Sequence, residues 1–149
     1  MIVYKHKDFG FNFTVDTNAK IPEDLVSKFY NRMSSIDKDL IEYYSSLNFD
    51  IEHSFLLLCE DEPIGYAKIY EDKNYSLLTE IYVQDEFREL SLGTFLLNSI
   101  RTYVSSINSS LRTVTLPSDR IAKNFYEASG ITARVLLMEE KRENNRYRP

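Results

Sequence analysis

A mixed α/β domain, with a largely antiparallel sheet and about four helices around it, is predicted by three observations. The stretch SFLLLCEDEPIGYAKIYEDKNYSLLTEIYV holds three strand-length apolar runs parted by EDEP and EDKN, both turn-like, which reads as a three-stranded antiparallel meander. From Leu92 the apolar period changes from two to three and four, which predicts a helix of about four turns. Two helical patterns precede the meander, and a strand, a helix and a strand follow the long helix.

The elements can be justified in order. After an N-terminal strand, IPEDLVSKFYNRM places Pro22 at a first helical position and Glu23 and Asp24 in the first turn, with Leu25, Phe29 and Met33 repeating at four. A second helix starts at Ser34 or Ser35, with Ile36, Leu40, Tyr43, Tyr44 and Leu47 on its apolar side and Asp37 near its N-terminus. The meander follows. In the long helix Leu92, Phe95, Leu96, Ser99, Ile100, Tyr103 and Ile107 form the apolar face. LRTVTL then reads as a short buried strand closed by Pro117, SDRIAKNFYEAS as a helix capped by Gly130, and TARVLLMEE as a final strand. Residues 1–149 form one domain, with 142–149 as a tail.

Composition narrows the function. A chain of 149 residues with 43% apolar residues builds one sizeable core. Its formal net charge of -5 disfavours binding along a phosphate backbone and suits a cationic partner. Lys141, Arg142, Arg146 and Arg148 in the tail are read as solvated. No apolar run reaches the roughly twenty residues of a membrane helix, and MIVYKHKDFG lacks the apolar stretch of a secretory signal, so a cytoplasmic protein is expected. The single Cys59 excludes an intramolecular disulfide and a cysteine-based zinc site, and reads as a small core hydrophobe.

The chemistry concentrates in EIYVQDEFRELSLGTFLLNSIRTYV, where a strand gives way to the long helix near Gly93. A turn entering a helix leaves backbone N–H groups unpaired at the positive end of the helix dipole, which makes an anion site. A dinucleotide fold is excluded by the lack of GxGxxG and by hairpin-linked strands, and a P-loop by the lack of GxxxxGK.

The stretch resembles the pyrophosphate loop of the GCN5-related N-acetyltransferases: Gln or Arg, two residues, Gly, one residue, then Gly or Ala. Here the pattern falls on Arg88, Ser91 and Gly93, after IYV, which looks like the end of the family's fourth strand. AKNFYEASGITARVLLMEEK looks like its later helix and strand, and the likeness runs over roughly residues 53 to 141. It implies a single domain with a central, mostly antiparallel twisted sheet and about four flanking helices. It also implies acetyl-CoA as co-substrate in a cleft where two strands splay apart, with no metal.

Carried over, the pyrophosphate would lie on the backbone of Arg88, Glu89, Leu90, Ser91, Leu92, Gly93 and Thr94, and the pantetheine along Ile81, Tyr82 and Val83. Glu89 and Ser91 stand where the usual form has glycines; Ser91 can substitute if its dihedrals stay helical. Asp119 stands where the family often has Asn against the cofactor, and Asn124 could supply a replacement amide. Tyr126 matches the family's general acid beside the thioester sulfur. Glu80 is the only carboxylate in LLTEIYV and the candidate base, though alternation sets it opposite Ile81 and Val83 and calls for a bulge to turn it inward. Glu42, Tyr43 and Tyr44 could border the acceptor, and His53 is one of only two histidines, a residue type suited to moving protons.

The expected activity is N-acetylation of a primary amine (a protein lysine or N-terminus, a polyamine or a small amine) by direct attack on the thioester, since the buried Cys59 is poorly placed as a nucleophile. Absence of a carboxylate from LRTVTL sets the chain apart from the ribosomal-protein acetyltransferases of the family. The alternatives are a non-catalytic CoA-binding or sensing module and an interaction domain that binds no CoA. The exposed seventh strand pairs some relatives, so a monomer or a homodimer is expected, without nucleic-acid or membrane partners.

Overall fold

The computed structural model describes residues 2–140, except for the Glu89 side chain, in six strands and four α-helices. β1 (Val3–Asp8) and β2 (Phe11–Thr17) precede α1 (Glu23–Ile36) and α2 (Asp39–Ser45). The meander β3 (Ile51–Cys59), β4 (Glu62–Glu71) and β5 (Tyr75–Val83) follows, then a 3-10 turn (Asp85–Leu90) and α3 (Leu92–Ser106). β6 (Ser110–Thr113) and α4 (Arg120–Ala128) complete the described elements. The strands lie in one sheet in chain order, antiparallel throughout except for parallel β5 and β6.

The helical periods predict the burial that is found. Leu25, Phe29 and Met33 of α1 pack with Leu40 of α2 on Tyr66 and Tyr82, covering one face of the sheet. Leu92, Leu96, Ile100 and Tyr103 of α3 cover the other with Phe55, Leu57 and Ile69, and Tyr126 of α4 joins them. The meander holds as read, its β3–β4 turn formed by Glu60 and Asp61 with φ of 46° and 70°. α4 ends in a Schellman motif: Gly130 sits at φ 86°, its N–H donates to Glu127 O, and Ile131 N–H donates to Tyr126 O at 2.9 Å.

The structure corrects four expectations. The N-terminus is a hairpin rather than one strand, closed by Phe9 and Gly10 at φ 52° and 77°; a phenylalanine in a left-handed turn position gives no turn signal. Pro22 precedes the first helical turn as its N-cap, and α1 runs through Ser34, Ser35 and Ile36 before the chain extends at Asp37 (φ -168°). The Asp37 carboxylate then accepts the Asp39 N–H at 3.0 Å, which starts α2 later than the serines suggest. β6 stops at Thr113 and is only half-buried, since it forms the sheet edge.

The largest difference is TARVLLMEE, which belongs to no strand. Val135, Leu136, Leu137 and Met138 are exposed, Leu136 at 73% and Val135 at 88%. Apolar character made this run read as a strand, but it forms no ladder with any described strand, the open β6 edge included. The tail 142–149, with Lys141 before it, lies outside the described residues.

Candidate active site

β5 and β6 pair only from Tyr75 to Leu78, against Ser110 to Thr113, so from Thr79 onward the β5 edge facing β6 has no strand partner among the described residues. Gln84 N–H donates to Ile64 O at 2.8 Å, which sets the antiparallel alternation with β4. By that alternation the N–H and C=O groups of Ile81 and Val83 point away from β4, into the gap beyond Thr113. Where the parallel pairing ends, these backbone polar groups of β5 are left without a strand partner among the described residues and line a candidate slot.

At the mouth of this slot the chain turns from the 3-10 segment into α3. Ser91 is the N-cap residue at φ 59° and ψ 22°, so its dihedrals are left-handed, which corrects the expectation that they stay helical. It makes no side-chain cap bond, and the first turn of α3 carries no acidic residue. The opening N–H groups of a helix lack intrahelical acceptors, so this terminus retains its positive potential for an anion. Gly93 lies in the helix without a positive φ, and a Cβ there would meet the Phe125 ring at an ordinary 3.4 Å. Neither backbone conformation nor packing within the chain calls for glycine at this position, whereas close approach of a ligand to the backbone would.

The other loop residues are distributed by burial. Leu92 is fully buried and anchors the turn, Leu90 is half-buried against the same core, and Thr94 is exposed. The Arg88 side chain is engaged: its Nε donates to Val83 O at 2.8 Å and lies 3.1 Å from Asp85, and its guanidinium stands 5.2 Å from the Tyr82 ring centre. Arg88 thus holds the end of β5 against the turn, and takes up one backbone oxygen expected to face the pantetheine.

Glu80 is 5% exposed and shares a face with Tyr82 and Tyr66, opposite Ile81 and Val83 as alternation predicts. The expectation that only a bulge would bury it is corrected, because that opposite face is itself covered by α1. A bulge is present one residue earlier, where Lys68 pairs with Glu80 but Ile69 with Leu78, leaving Thr79 unpaired; it moves Leu78 to the α3 face without reversing Glu80. Tyr66 donates to Glu80 Oε1 at 2.6 Å and Tyr30 to Oε2 at 3.3 Å. Burial first, then the adjacent Glu80, pushes the Tyr30 hydroxyl up to about 12 and raises that of Tyr66 further. Both hydroxyls therefore stay protonated and donate to the carboxylate.

Tyr126 is buried on α4 beside Thr113, the last residue paired to β5. Burial pushes its hydroxyl up to about 12, aided by Asp119 and opposed by a hydrogen bond with Thr113 and by Arg32. Tyr44 of α2 reaches the same point, donating to Val114 O at 3.1 Å. Its hydroxyl is likewise raised, by burial and then by the proximity of Tyr126. The hydroxyls of α2 and α4 thus meet at the fork where β5 and β6 part, within reach of both sheet faces.

Asp119 is 4% exposed and fully engaged. It caps α4 by accepting Ala122 N–H at 3.1 Å and receives two Arg32 hydrogen bonds at 3.2 and 3.3 Å. Its role is to tie α4 to α1, with its charge offset by a guanidinium. Asn124 is exposed on α4, and Glu42 is exposed on α2. His53 stands on the α3 face, its Nδ1 2.9 Å from the Tyr103 hydroxyl, and is not brought to Glu80. Tyr30, Arg32 and Tyr66 were missed from sequence. Tyr66 could have been found from the meander, since pairing of Lys68 with Glu80 puts it diagonally across from that carboxylate; the α1 pair leaves no linear signal.

Among the described residues no group of His, Cys, Asp and Glu is arranged to hold a metal ion, and no helix is long and apolar enough to cross a membrane.

The family model of the acetyltransferase (GNAT) domain matches residues 18–144. No curated protein matches the chain. Among solved structures it resembles the aminoglycoside N-acetyltransferase AAC(6')-Iy in complex with CoA, at 14% identity over 90% of this chain and 97% of that one, with a TM-score of 0.61. It also resembles a GNAT family acetyltransferase from Elizabethkingia anophelis with acetyl-CoA bound, at 19% identity over 86% and 73% of the two chains and a TM-score of 0.59. A third is an aminoglycoside acetyltransferase from an uncultured soil metagenomic sample in complex with sisomicin, at 12% identity over 89% and 97%, TM-score 0.59. At these identities the likeness is one of fold, and the family match covers most of the chain. With its splayed strands and uncapped helix start, the chain belongs to the acetyltransferase (GNAT) domain family and is an acetyl-CoA-dependent N-acetyltransferase.

Proposed function

We propose that the chain acetylates a cationic primary amine by direct attack, with Glu80 on the acceptor side and Tyr126 on the leaving-group side of the slot between β5 and β6. The observation that carries this reading is the buried Glu80 carboxylate, held by two tyrosine hydroxyls at the start of the unpaired half of β5. Acetyl-CoA, when bound, supplies the thioester carbonyl and the departing thiolate. The backbone N–H groups from Arg88 to Thr94 would hold its pyrophosphate, and the Ile81, Tyr82 and Val83 backbone its pantetheine. Asn124 is a further candidate contact from α4.

An alkylammonium holds its proton up to a pH of about 10.4, so only a minority of the acceptor is neutral amine near neutral pH. The ammonium gives up one proton to solvent, and Glu80 orients the resulting minority of neutral amine, whose nitrogen attacks and then passes its second proton to Glu80 as it loses basicity on bonding to carbon. Tyr126, protonated throughout neutral pH, donates to the departing sulfur. Acceptors of the aminoglycoside, polyamine, small-amine or protein-amine kind all satisfy this chemistry.

A thiol-release assay with acetyl-CoA and an amine panel tests the assignment. Tyr126→Phe and Glu80→Gln are each expected to lower kcat by about 100-fold, the scale of general acid–base catalysis, while calorimetry shows acetyl-CoA binding within a few-fold of wild type. Unchanged turnover in both variants would sink the roles. Acetyl-CoA binding without turnover on any amine of the panel would likewise sink the roles of Glu80 and Tyr126.

The same proposal takes a homodimer in preference to a monomer. Among the described residues each chain offers an edge at β6 without a strand partner and an exposed apolar run at Val135–Met138, and a second copy can satisfy both. Light scattering is expected to give twice the chain mass, and Leu136→Asp to give the monomer.

A further inference from the structure

A cleft of about 280 Å³ lies between α1, α2 and β5, with Glu80 at one wall. Among the described residues Glu80 is the only charged one in its lining, and the remaining lining is dominated by Phe29, Tyr30, Tyr44, Phe49 and Tyr70. The rings are held by one another: Phe49 stands 5.8 Å from Tyr70 at 32°, and Phe29 lies edge-on to Tyr30 at 5.3 Å. Beyond Tyr70, whose hydroxyl donates to Glu52, that second carboxylate is already offset by Lys68 at 3.5 Å.

We infer that this cleft takes a primary amine bearing a single positive charge on an apolar aryl or alkyl body, in preference to a polycation. The inference rests on the reading of Glu80 as the acceptor-side carboxylate and goes beyond it to the class of acceptor. One ammonium finds one carboxylate, and aromatic faces near it add a cation–π attraction that grows as water is excluded. The apolar body gains by burial against the rings. A second or third ammonium would be desolvated without a partner, which is strongly unfavourable. The volume sits at the small end of ligand sites, so the body is of the size of one ring or a short chain.

The test uses the full chain with two independent readouts. Thiol release from acetyl-CoA is measured with 2-phenylethylamine, hexylamine, spermidine and kanamycin. Separately, calorimetry measures the same amines binding to the protein in the presence of CoA, which needs no turnover. The two apolar monoamines are expected to exceed the polycations by about tenfold in affinity and in kcat/KM, a margin within reach of one apolar pocket contact. Phe49→Ala is expected to raise KM for the monoamines with little change in kcat. Exposed Asn48→Glu, which adds a second carboxylate to the lining without disturbing the core, is expected to shift the preference toward spermidine. Monoamine binding with no turnover of any amine would uphold the pocket and overturn the transfer reading instead. Tighter binding of polycations, no binding of the monoamines, or an Asn48→Glu preference identical to wild type would overturn the inference.

Discussion

At Ser91 the backbone occupies the left-handed region, which costs a non-glycine residue roughly 1–2 kcal/mol, while glycine loses part of that advantage through the entropy of its unfolded chain. Ser91→Gly is therefore expected to raise the stability by about 0.5–1 kcal/mol, read as a higher urea midpoint at constant slope. Two positions on, the opposite holds. Gly93 is helical and has room for a methyl group, so Gly93→Ala should gain about 0.5 kcal/mol of helix stability. If the pyrophosphate uses this backbone, the same methyl group lengthens a charge-assisted hydrogen bond, and acetyl-CoA affinity should fall by about tenfold. A stabilised Gly93→Ala variant with full affinity would remove the phosphate from this position. Gly93 marks the turn from β5 into α3, whereas the backbone demand for glycine sits at Ser91.

Among the elements, β5 is fixed from both sides. A Cβ on Gly65 would stand 2.5 Å from Tyr82 O and 3.3 Å from Val83 Cα, so β4 and β5 approach too closely for any side chain there. Gly65→Ala is expected to destabilise by about 1–3 kcal/mol, the usual cost of overpacking, and to displace the slot edge, so that acetyl-CoA binding falls along with the thermal midpoint. Arg32 joins α1 to the α4 cap through Asp119. Arg32→Leu leaves a buried carboxylate without its cation, and a loss of about 2 kcal/mol is expected by chemical denaturation; the double variant with Asp119→Asn should recover part of it. Periodicity revealed these elements because each buries a stripe of side chains. It could not reveal the α1–α4 link, whose partners are 87 residues apart.

Among the described residues, eight tyrosines (Tyr4, Tyr30, Tyr44, Tyr66, Tyr70, Tyr75, Tyr103 and Tyr126) have hydroxyls raised above the ordinary tyrosine value of about 10, burial being the first cause in each. Their neutral forms are favoured in the folded state, so the folded protein binds more protons than the unfolded chain once pH passes about 10. Their stabilisation is present in full below that pH and is lost as pH rises toward and beyond 12. Urea midpoints should be flat between pH 8 and 9.5 and fall steeply by pH 11, and kcat should show no alkaline decline from Tyr126 below about pH 11. An alkaline decline in kcat centred near pH 10 would contradict a buried Tyr126 acid.

The sequence by itself determined the meander, the helical faces, the strand-to-helix turn at Ser91–Gly93 and the Tyr126 helix. Each of these is written in local spacing, through apolar period, turn residues and caps, and local spacing needs no knowledge of what lies across the fold. Tertiary structure alone decided that the face bearing Glu80 is buried under α1, that Tyr30 and Tyr66 donate to it, and that Asp119 serves Arg32. It also decided that TARVLLMEE stays outside the sheet within one chain, leaving the outer edge of β6 without a strand partner among the described residues. Contacts between residues distant in sequence depend on which faces meet, and that is settled by packing of the complete sheet and its helices.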